Sequence, residues 1–296
     1  MSEVLVTVGL PIALAIVMLG LGLSLTVADF ARVARRPRAV AAALVTQLAL
    51  LPLVCFGLVI LAGLDPLLAV GMMLLAASPG GTTANLFSHL FRGDVALNIT
   101  LTAVNSILAV VTLPLVVNLS LAWFRPVVDG GTLGLDLAKS AQVFAVVLVP
   151  VAIGMLIRRV RPSFADRADR PVRILSAVVL AAVIVGAILA EEDFVDYVVE
   201  VGVVTVVFCL ISLAAGYLLP RLLRVGHAQS VASAFEVGIH NSTIAITIAL
   251  SVLGDERLAV PAAVYGVLMF PLAVGAGVLL RRLAPAPLSA GDTVPS

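Results

Sequence analysis

Apolar residues run along this chain in blocks long enough to cross a bilayer, and short segments between the blocks hold most of the charge. A helix needs about 20 apolar residues to span the hydrocarbon core. Breaking the chain at charged or Pro/Gly-containing junctions predicts nine such helices, from Val4 to Ala28, Pro37 to Ala62, Pro66 to Phe91, Val95 to Trp123, Leu135 to Ile157, Val172 to Ala190, Tyr197 to Leu223, Gln229 to Leu253 and Leu258 to Leu280. The pattern predicts an all-α polytopic membrane protein with about nine transmembrane helices.

Polar residues interrupt two of these blocks near their centres. The third contains Ser78-Pro79-Gly80-Gly81-Thr82-Thr83-Ala84-Asn85, and a helix does not continue comfortably through Pro-Gly-Gly. The eighth contains Glu236-Val237-Gly238-Ile239-His240-Asn241-Ser242. The two blocks are an odd number of spans apart, so they cross the membrane in opposite directions. Paired interruptions in oppositely directed helices are the sequence mark of an inverted repeat with a binding site between its halves. Unwinding leaves carbonyls at the end of one half-helix and amides at the start of the next without intrahelical partners. Amide-rich ends favour anions, whereas freed carbonyls and side-chain oxygens suit small hard cations. Thr82, Thr83 and Asn241 follow the breaks and are the candidates for contact with an anionic solute. Glu236 is the one carboxylate well inside an apolar block, where an ionised group costs about 2.5–3.5 kcal/mol on the mildest scale and so calls for an ion or a partner.

Charge fixes an orientation. Arg32, Arg35, Arg36 and Arg38 follow the first block, Arg92 the third, Arg158, Arg159, Arg161, Arg167, Arg170 and Arg173 the fifth, Arg221 and Arg224 the seventh, and Arg281 and Arg282 the ninth. The opposite junctions are mainly acidic, with Asp65, Asp129, Asp136, Glu191, Glu192, Asp193, Asp196, Asp255 and Glu256. The positive-inside rule then places the amino terminus outside and the carboxyl terminus in the cytoplasm. The net charge of +1 follows from this topology and gives no reason to expect nucleic-acid binding; membrane lipid is the expected surrounding. A composition 61% hydrophobic and 12% charged excludes an ordinary soluble domain. Cys55 and Cys209 lie within apolar blocks without metal-ligand spacing and are expected to be packed thiols. Trp123 and Tyr265 fit interfacial or packing roles, and His89 and His227 fall at helix ends. No phosphate loop, dinucleotide fingerprint or metalloprotease motif is present, so neither an organic cofactor nor an enzyme is expected. The Pro- and Ala-rich tail, 284–296, is expected to be disordered and cytoplasmic.

The Ser78-to-Asn85 stretch, followed by Arg92-Gly93-Asp94-Val95-Ala96-Leu97, resembles a motif of the bile acid:sodium symporter family, and Glu236-Val237-Gly238-Ile239-His240-Asn241-Ser242 is similar to its Glu-Val-Gly-Met-Gln-Asn-Ser motif. The resemblance implies a nine-helix variant of a bacterial member, in the cytoplasmic membrane, with two crossing discontinuous helices. A core domain (approximately 37–123 and 197–282) would face a panel domain (4–28 and 135–190) within a transporter spanning 1–283. It implies sodium as coupling ion and a small organic anion, such as a carboxylate, as cargo. One sodium site would use Glu236, Asn85, Asn98, Thr102 and a carbonyl near Ala84. A second would use Glu236, Gln47, His240 and carbonyls near Val237 and Ile239.

From the residues alone, Asn98 and Thr102 share a helical face at i, i+4, though the threonine could equally bond its own backbone; Gln47 could serve as a helix–helix hydrogen bond. Two departures from the family pattern alter the expectation. His240 stands where the family usually has Gln, exchanging a carbonyl oxygen for a ring nitrogen that suits sodium less well. It either holds the same fold as a neutral ring or lets a proton replace one sodium ion, which leaves a proton-coupled carrier using Glu236 and His240 as the alternative. Met269-Phe270 stands where bile-acid-binding bacterial relatives tend to carry His-Asn, which weakens bile acid as cargo. A remote third reading is an intramembrane hydrolase with Ser242 or Ser78 as nucleophile and His240 as base.

Overall fold

The computed structural model describes residues 36–128, 131–132, 137–168 and 194–283, with isolated positions in 15–23 and 171–178. In chain order its helices are α1 (Pro37–Ala62), α2 (Pro66–Ala77), α3 (Thr82–Leu90), α4 (Val95–Phe124), α5 (Leu137–Val160), α6 (Phe194–Leu222), α7 (His227–Gly238), α8 (Ser242–Ile248) and α9 (Val260–Arg282). A π-helical turn (Ala249–Leu253) prolongs α8, and a 3-10 turn (Arg257–Ala259) leads into α9. Two-residue strands β1 (Val127–Val128) and β2 (Gly131–Thr132) pair antiparallel between α4 and α5. The expected spans from Val4 to Ala28 and from Val172 to Ala190 lie largely outside the described residues, and so does the tail 284–296.

Pro and Asp set the helix starts. Asp65 Oδ1 accepts the amide of Leu67 at 2.9 Å with Pro66 opening α2, and Asp94 Oδ1 accepts the amide of Leu97 at 3.0 Å to open α4. α1 ends on Gly63 at φ +63°, a left-handed stop that glycine adopts without a Cβ clash. Pro52, inside α1, offers no amide to the carbonyl of Leu48, and the preceding residues Thr46–Leu50 widen into a π turn that carries Gln47. α4 bends by 52° between Ala109 and Val111. Pro114 explains the bend, since its ring crowds the carbonyl four residues earlier, at Val110.

The surface, rather than the core, departs from that of a soluble protein. Leu53, Leu61, Val111, Leu119, Val203 and Leu222 are all exposed, while Thr46, Gln47, Asn98, Thr102, Asn105, Ser233 and Glu236 are buried. Large apolar side chains on the surface, with polar ones set into a mainly apolar core, are what a hydrocarbon solvent allows. α1, the Val199–Leu222 stretch of α6 and the Arg257–Arg282 stretch are each long and apolar enough to cross a membrane, and bent α4 adds a fourth. α2 and α7 are buried along almost their whole length, α7 packing mainly on α6 and also on α4, α3 and α1.

Close helix contact rests on small residues, as dispersion rather than water exclusion drives packing in lipid. A Cβ added at Gly216 of α6 would lie 2.9 Å from both Ala234 Cα and Ser233 O of α7, and one at Gly238 would lie 2.4 Å from the Leu213 side chain. At one end of the molecule the Arg92-Gly93-Asp94 turn ties four helices together. Gly93 N donates to Ser88 O (2.7 Å), Asp94 N donates to Ala228 O (2.8 Å), and Arg36 Nη1 pairs with Asp94 Oδ2 at 2.8 Å.

Gly216→Ala should destabilise the protein by about 1–3 kcal/mol through overpacking against the α7 backbone. Gly202→Ala, in the same helix with nothing within 4 Å of its added Cβ, is the control and should be neutral or slightly stabilising. Thermal unfolding midpoints in detergent check both, and equal midpoints would contradict this account of the α6–α7 contact.

Candidate functional site

The two interrupted helices meet at their breaks. After α2 the chain is extended at Ser78, with ψ 136°, and Gly80 forms an antiparallel β-bridge with His240, between α7 and α8. Asn241 N, which a continuing α7 would direct to Val237 O, instead donates to Pro79 O at 2.9 Å. Each break thereby satisfies part of the backbone that the other leaves open. The approach requires glycine at position 80, because a Cβ there would lie 2.5 Å from Glu236 Cδ, Oε1 and O.

Glu236 sits one turn before the α7 break with no exposed surface. Thr102 Oγ1 lies 2.6 Å from its Oε2, and Asn105 Nδ2 donates to its Oε1 at 3.2 Å. Hydrogen bonds to an ionised group are each worth about 1.5–3 kcal/mol. Asn98 Nδ2 donates to Ala232 O at 2.7 Å, one helical turn before Glu236. Thus Asn98, Thr102 and Asn105 of α4, at i, i+4 and i+7, dock one face of that helix on Ala232 and Glu236 of α7. Thr102 Oγ1 also lies 3.1 Å from Asn98 O, so the alternative foreseen for this threonine, a bond to its own backbone, is present beside its contact with the carboxylate.

On the other side of the crossing, Gln47 Nε2 donates to Ser78 O at 3.0 Å, with Ala76 O at 3.5 Å. His240 Nδ1 approaches the same Ser78 carbonyl at 3.1 Å. A carbonyl only accepts, so this nitrogen bears the proton, and the 3.5 Å approach of Gln47 Nε2 to His240 Nδ1 brings together two donors sharing one acceptor. The ring stacks on Phe208 (centroids 5.4 Å, 24° between planes) and meets the edge of Tyr265, whose hydroxyl donates to Gly238 O at 2.8 Å.

Several buried polar atoms have no hydrogen-bond partner among the described residues: Gln47 Oε1, Asn85 Oδ1, Asn98 Oδ1, Asn105 Oδ1 and His240 Nε2. Ser88 Oγ, Thr112 Oγ1, Ser233 Oγ and Ser242 Oγ are likewise without a partner among the described residues. Buried polar atoms are normally paired, so the two orphaned oxygens on the α4 face that meets Glu236, those of Asn98 and Asn105, mark a place fitted to a ligand. No group of three or more His, Cys, Asp or Glu side chains able to hold a metal ion occurs among the described residues. The available donors are one carboxylate, a hydroxyl and neutral amide oxygens, a set suited to a hard monovalent cation.

The structure thus links Glu236 with Thr102 directly and with Asn98 through adjacent turns, and gathers Gln47 and His240 at Ser78 O. No hydrogen bond joins Glu236 to His240 or to Asn85 among the described residues; Asn85 lies in the first turn of α3, beside buried Ala84. Val237 and Ile239 flank the end of α7. Asn241 caps α8, its Oδ1 accepting the amide of Ile244 at 3.3 Å, and Thr82 and Thr83 open α3. Asn105 escaped the sequence reading although its spacing from Asn98 and Thr102 continues their face. The thiols Cys55 and Cys209 are free and buried. Tyr265 is a packing residue within the core, and Trp123 is exposed near the end of α4 against Phe56. The hydrolase alternative finds no nucleophile–base pair among the described residues: Ser78 Oγ donates to Leu74 O, His240 Nδ1 meets the carbonyl of Ser78, and neither Ser242 Oγ nor His240 Nε2 has a hydrogen-bond partner.

Two broken helices meeting at a buried carboxylate, in a helical fold with an apolar surface, define a membrane carrier rather than an enzyme. The chain belongs to the Sodium Bile acid symporter family, whose profile matches residues 11–200. It is 28% identical over 257 residues to the uncharacterized sodium-dependent transporter YocS of Bacillus subtilis, covering 86% of this chain and 78% of that one. It is 30% identical to the probable chloroplastic sodium/metabolite cotransporter BASS1 of Arabidopsis thaliana (93% and 67%) and 27% identical to the human ileal sodium/bile acid cotransporter (92% and 75%).

Gly80→Ala should push the Glu236 side chain or the facing backbone out of place and cost about 1–3 kcal/mol. Gly81→Ala, whose added Cβ would have Asn241 side-chain atoms at 3.9 Å as its nearest neighbours, should cost less. Comparing their thermal midpoints tests the crossing, and a Gly80→Ala protein as stable as the parent would contradict it.

Proposed function

We propose that this protein is a sodium-coupled symporter that carries a small organic anion across a bacterial cytoplasmic membrane, with its amino terminus outside and its carboxyl terminus in the cytoplasm. One observation supports this above the rest: a single fully buried carboxylate at the meeting of two helix breaks, with the orphaned amide oxygens of Asn98 and Asn105 on the helix that bonds it. Sodium would bind at Glu236, Asn85, Asn98 and Thr102 with a carbonyl near Ala84. A second site would use Glu236 with Gln47, His240 and carbonyls near Val237 and Ile239. The sodium-dependent relatives support the choice of ion, and their metabolite and bile acid cargoes support an organic solute.

Neutralising Glu236 would remove the main electrostatic obstacle to holding an anion nearby, at Thr82, Thr83 and Asn241. Cation and anion would then support each other's binding, and the core (37–123, 197–282) would move against the panel (4–28, 135–190) to change access. Phe270 of α9 is 40% exposed and stacks on Phe87, ring centroids 6.2 Å apart, so this position presents an apolar ring rather than a hydrogen-bonding group.

Sodium should raise the thermal midpoint and drive uptake of the cognate carboxylate, whereas potassium should not; equal responses would remove sodium from the account. Glu236→Gln, close in shape, should fold and lose the sodium response.

A proton-coupled carrier is a second reading, favoured by the buried His240 Nε2 with no partner among the described residues. It predicts uptake that follows a pH gradient without sodium and is lost in His240→Gln. On the sodium reading that variant keeps its sodium-driven uptake.

A further inference from the structure

Asn105 has no assigned role in the cation set above, yet it is the second α4 side chain on the Glu236 carboxylate. It has no exposed surface, and its Nδ2 donates to Oε1 at 3.2 Å while Thr102 takes Oε2. An ionised carboxylate only accepts, so it dictates which way the Asn105 amide faces. The amide nitrogen must point to the carboxylate, which leaves Oδ1 as a buried oxygen without a partner among the described residues. The α4 face that meets Glu236 therefore carries two buried amide oxygens without a partner among the described residues, Asn105 Oδ1 and Asn98 Oδ1, beside a carboxylate held through Oε1 and Oε2. The neighbouring Ser106 contrasts with it: its hydroxyl donates to Thr102 O at 2.7 Å and is satisfied within the helix.

We infer that Asn105 is a positioning residue of the cation site, which steers Oε1 of Glu236 and turns its own carbonyl oxygen toward the ion. The inference rests on the sodium reading given above. A purely structural asparagine at a helix contact would have both ends of its amide paired, as buried amides normally do. Here the donor end is engaged with Glu236 Oε1 and the acceptor end has no partner among the described residues.

The test is sodium-dependent thermal stabilisation of the purified full-length chain in detergent, without solute, titrating sodium against potassium at constant ionic strength. Asn105→Ala should raise the half-saturating sodium concentration roughly tenfold or more, as expected for losing a charge-assisted hydrogen bond and a ligand oxygen. Ser106→Ala should stay within about twofold, being a deletion of similar size whose hydroxyl faces only its own helix. Should Asn105→Ala fail to fold, Asn105→Ser, shorter but still polar, should shift half-saturation in the same direction. A lower midpoint in potassium with unchanged half-saturation in either Asn105 variant would make the residue merely structural and overturn the inference. Glu236→Gln run in parallel separates the two ideas. If it keeps the sodium response, the sodium reading itself fails; if it loses that response while Asn105→Ala matches the parent, only the Asn105 inference fails.

Discussion

The arrangement depends on a backbone exchange between two broken helices. Pro79 O accepts the amide of Asn241, and Gly80 bridges His240, so unwound segments that neither helix can satisfy alone are partly satisfied across the crossing. In hydrocarbon this has a strong consequence. Each unpaired backbone group would cost several kcal/mol, which ties the two half-helix pairs to each other more firmly than side-chain packing in lipid would. The crossing also fixes where Glu236 lies, because its side chain packs directly over Gly80.

The surrounding helices supply what the crossing lacks. α4 lays three polar residues along the Ala232–Glu236 face of α7, and α1 brings Gln47 to the Ser78 carbonyl on a π turn. At one end of the assembly Asp94 caps α4, donates its amide to Ala228 at the start of α7, and pairs with Arg36 before α1. The Arg-Gly-Asp turn therefore sets the register between α4 and α7, and register decides which α4 side chains face the carboxylate. Its remoteness from Glu236 is compatible with an indirect effect on the site, carried by two rigid helices.

Much of this was legible in the sequence. Apolar blocks of spanning length, Pro-Gly-Gly in one and a lone Glu in another, pointed to two interruptions, and the i, i+4 spacing of Asn98 and Thr102 put them on one face. Other features depend on three-dimensional neighbours. Asn105 continues that face at i+7, but only the docking of α4 on α7 shows that the face meets Glu236. The π turn at Gln47 follows from Pro52 together with the Ser78 carbonyl that receives the side chain. Asn241 reads from the sequence as a solute contact, and only the folded neighbour Ile244, whose amide its Oδ1 accepts, shows that it also caps a helix. His240 could be read as a ligand or a scaffold residue, and its Nδ1 is engaged with Ser78 O while Nε2 stays without a partner among the described residues.

Formal charge links the site to coupling. Around Glu236 the donors are a hydroxyl and amides, all neutral, so one monovalent cation brings the cluster to zero and a divalent ion would leave it positive in a medium that penalises net charge. On the symport reading, this balance makes the order of events a matter of electrostatics. An organic anion approaching the ends of α3 and α8 meets an uncompensated carboxylate until the ion is in place, and meets a neutral cluster afterwards. The amides that open the two half-helices are oriented by the same backbone exchange that holds Glu236. Ion and anion are then coupled through one small piece of polypeptide, without requiring a signal to travel across the fold.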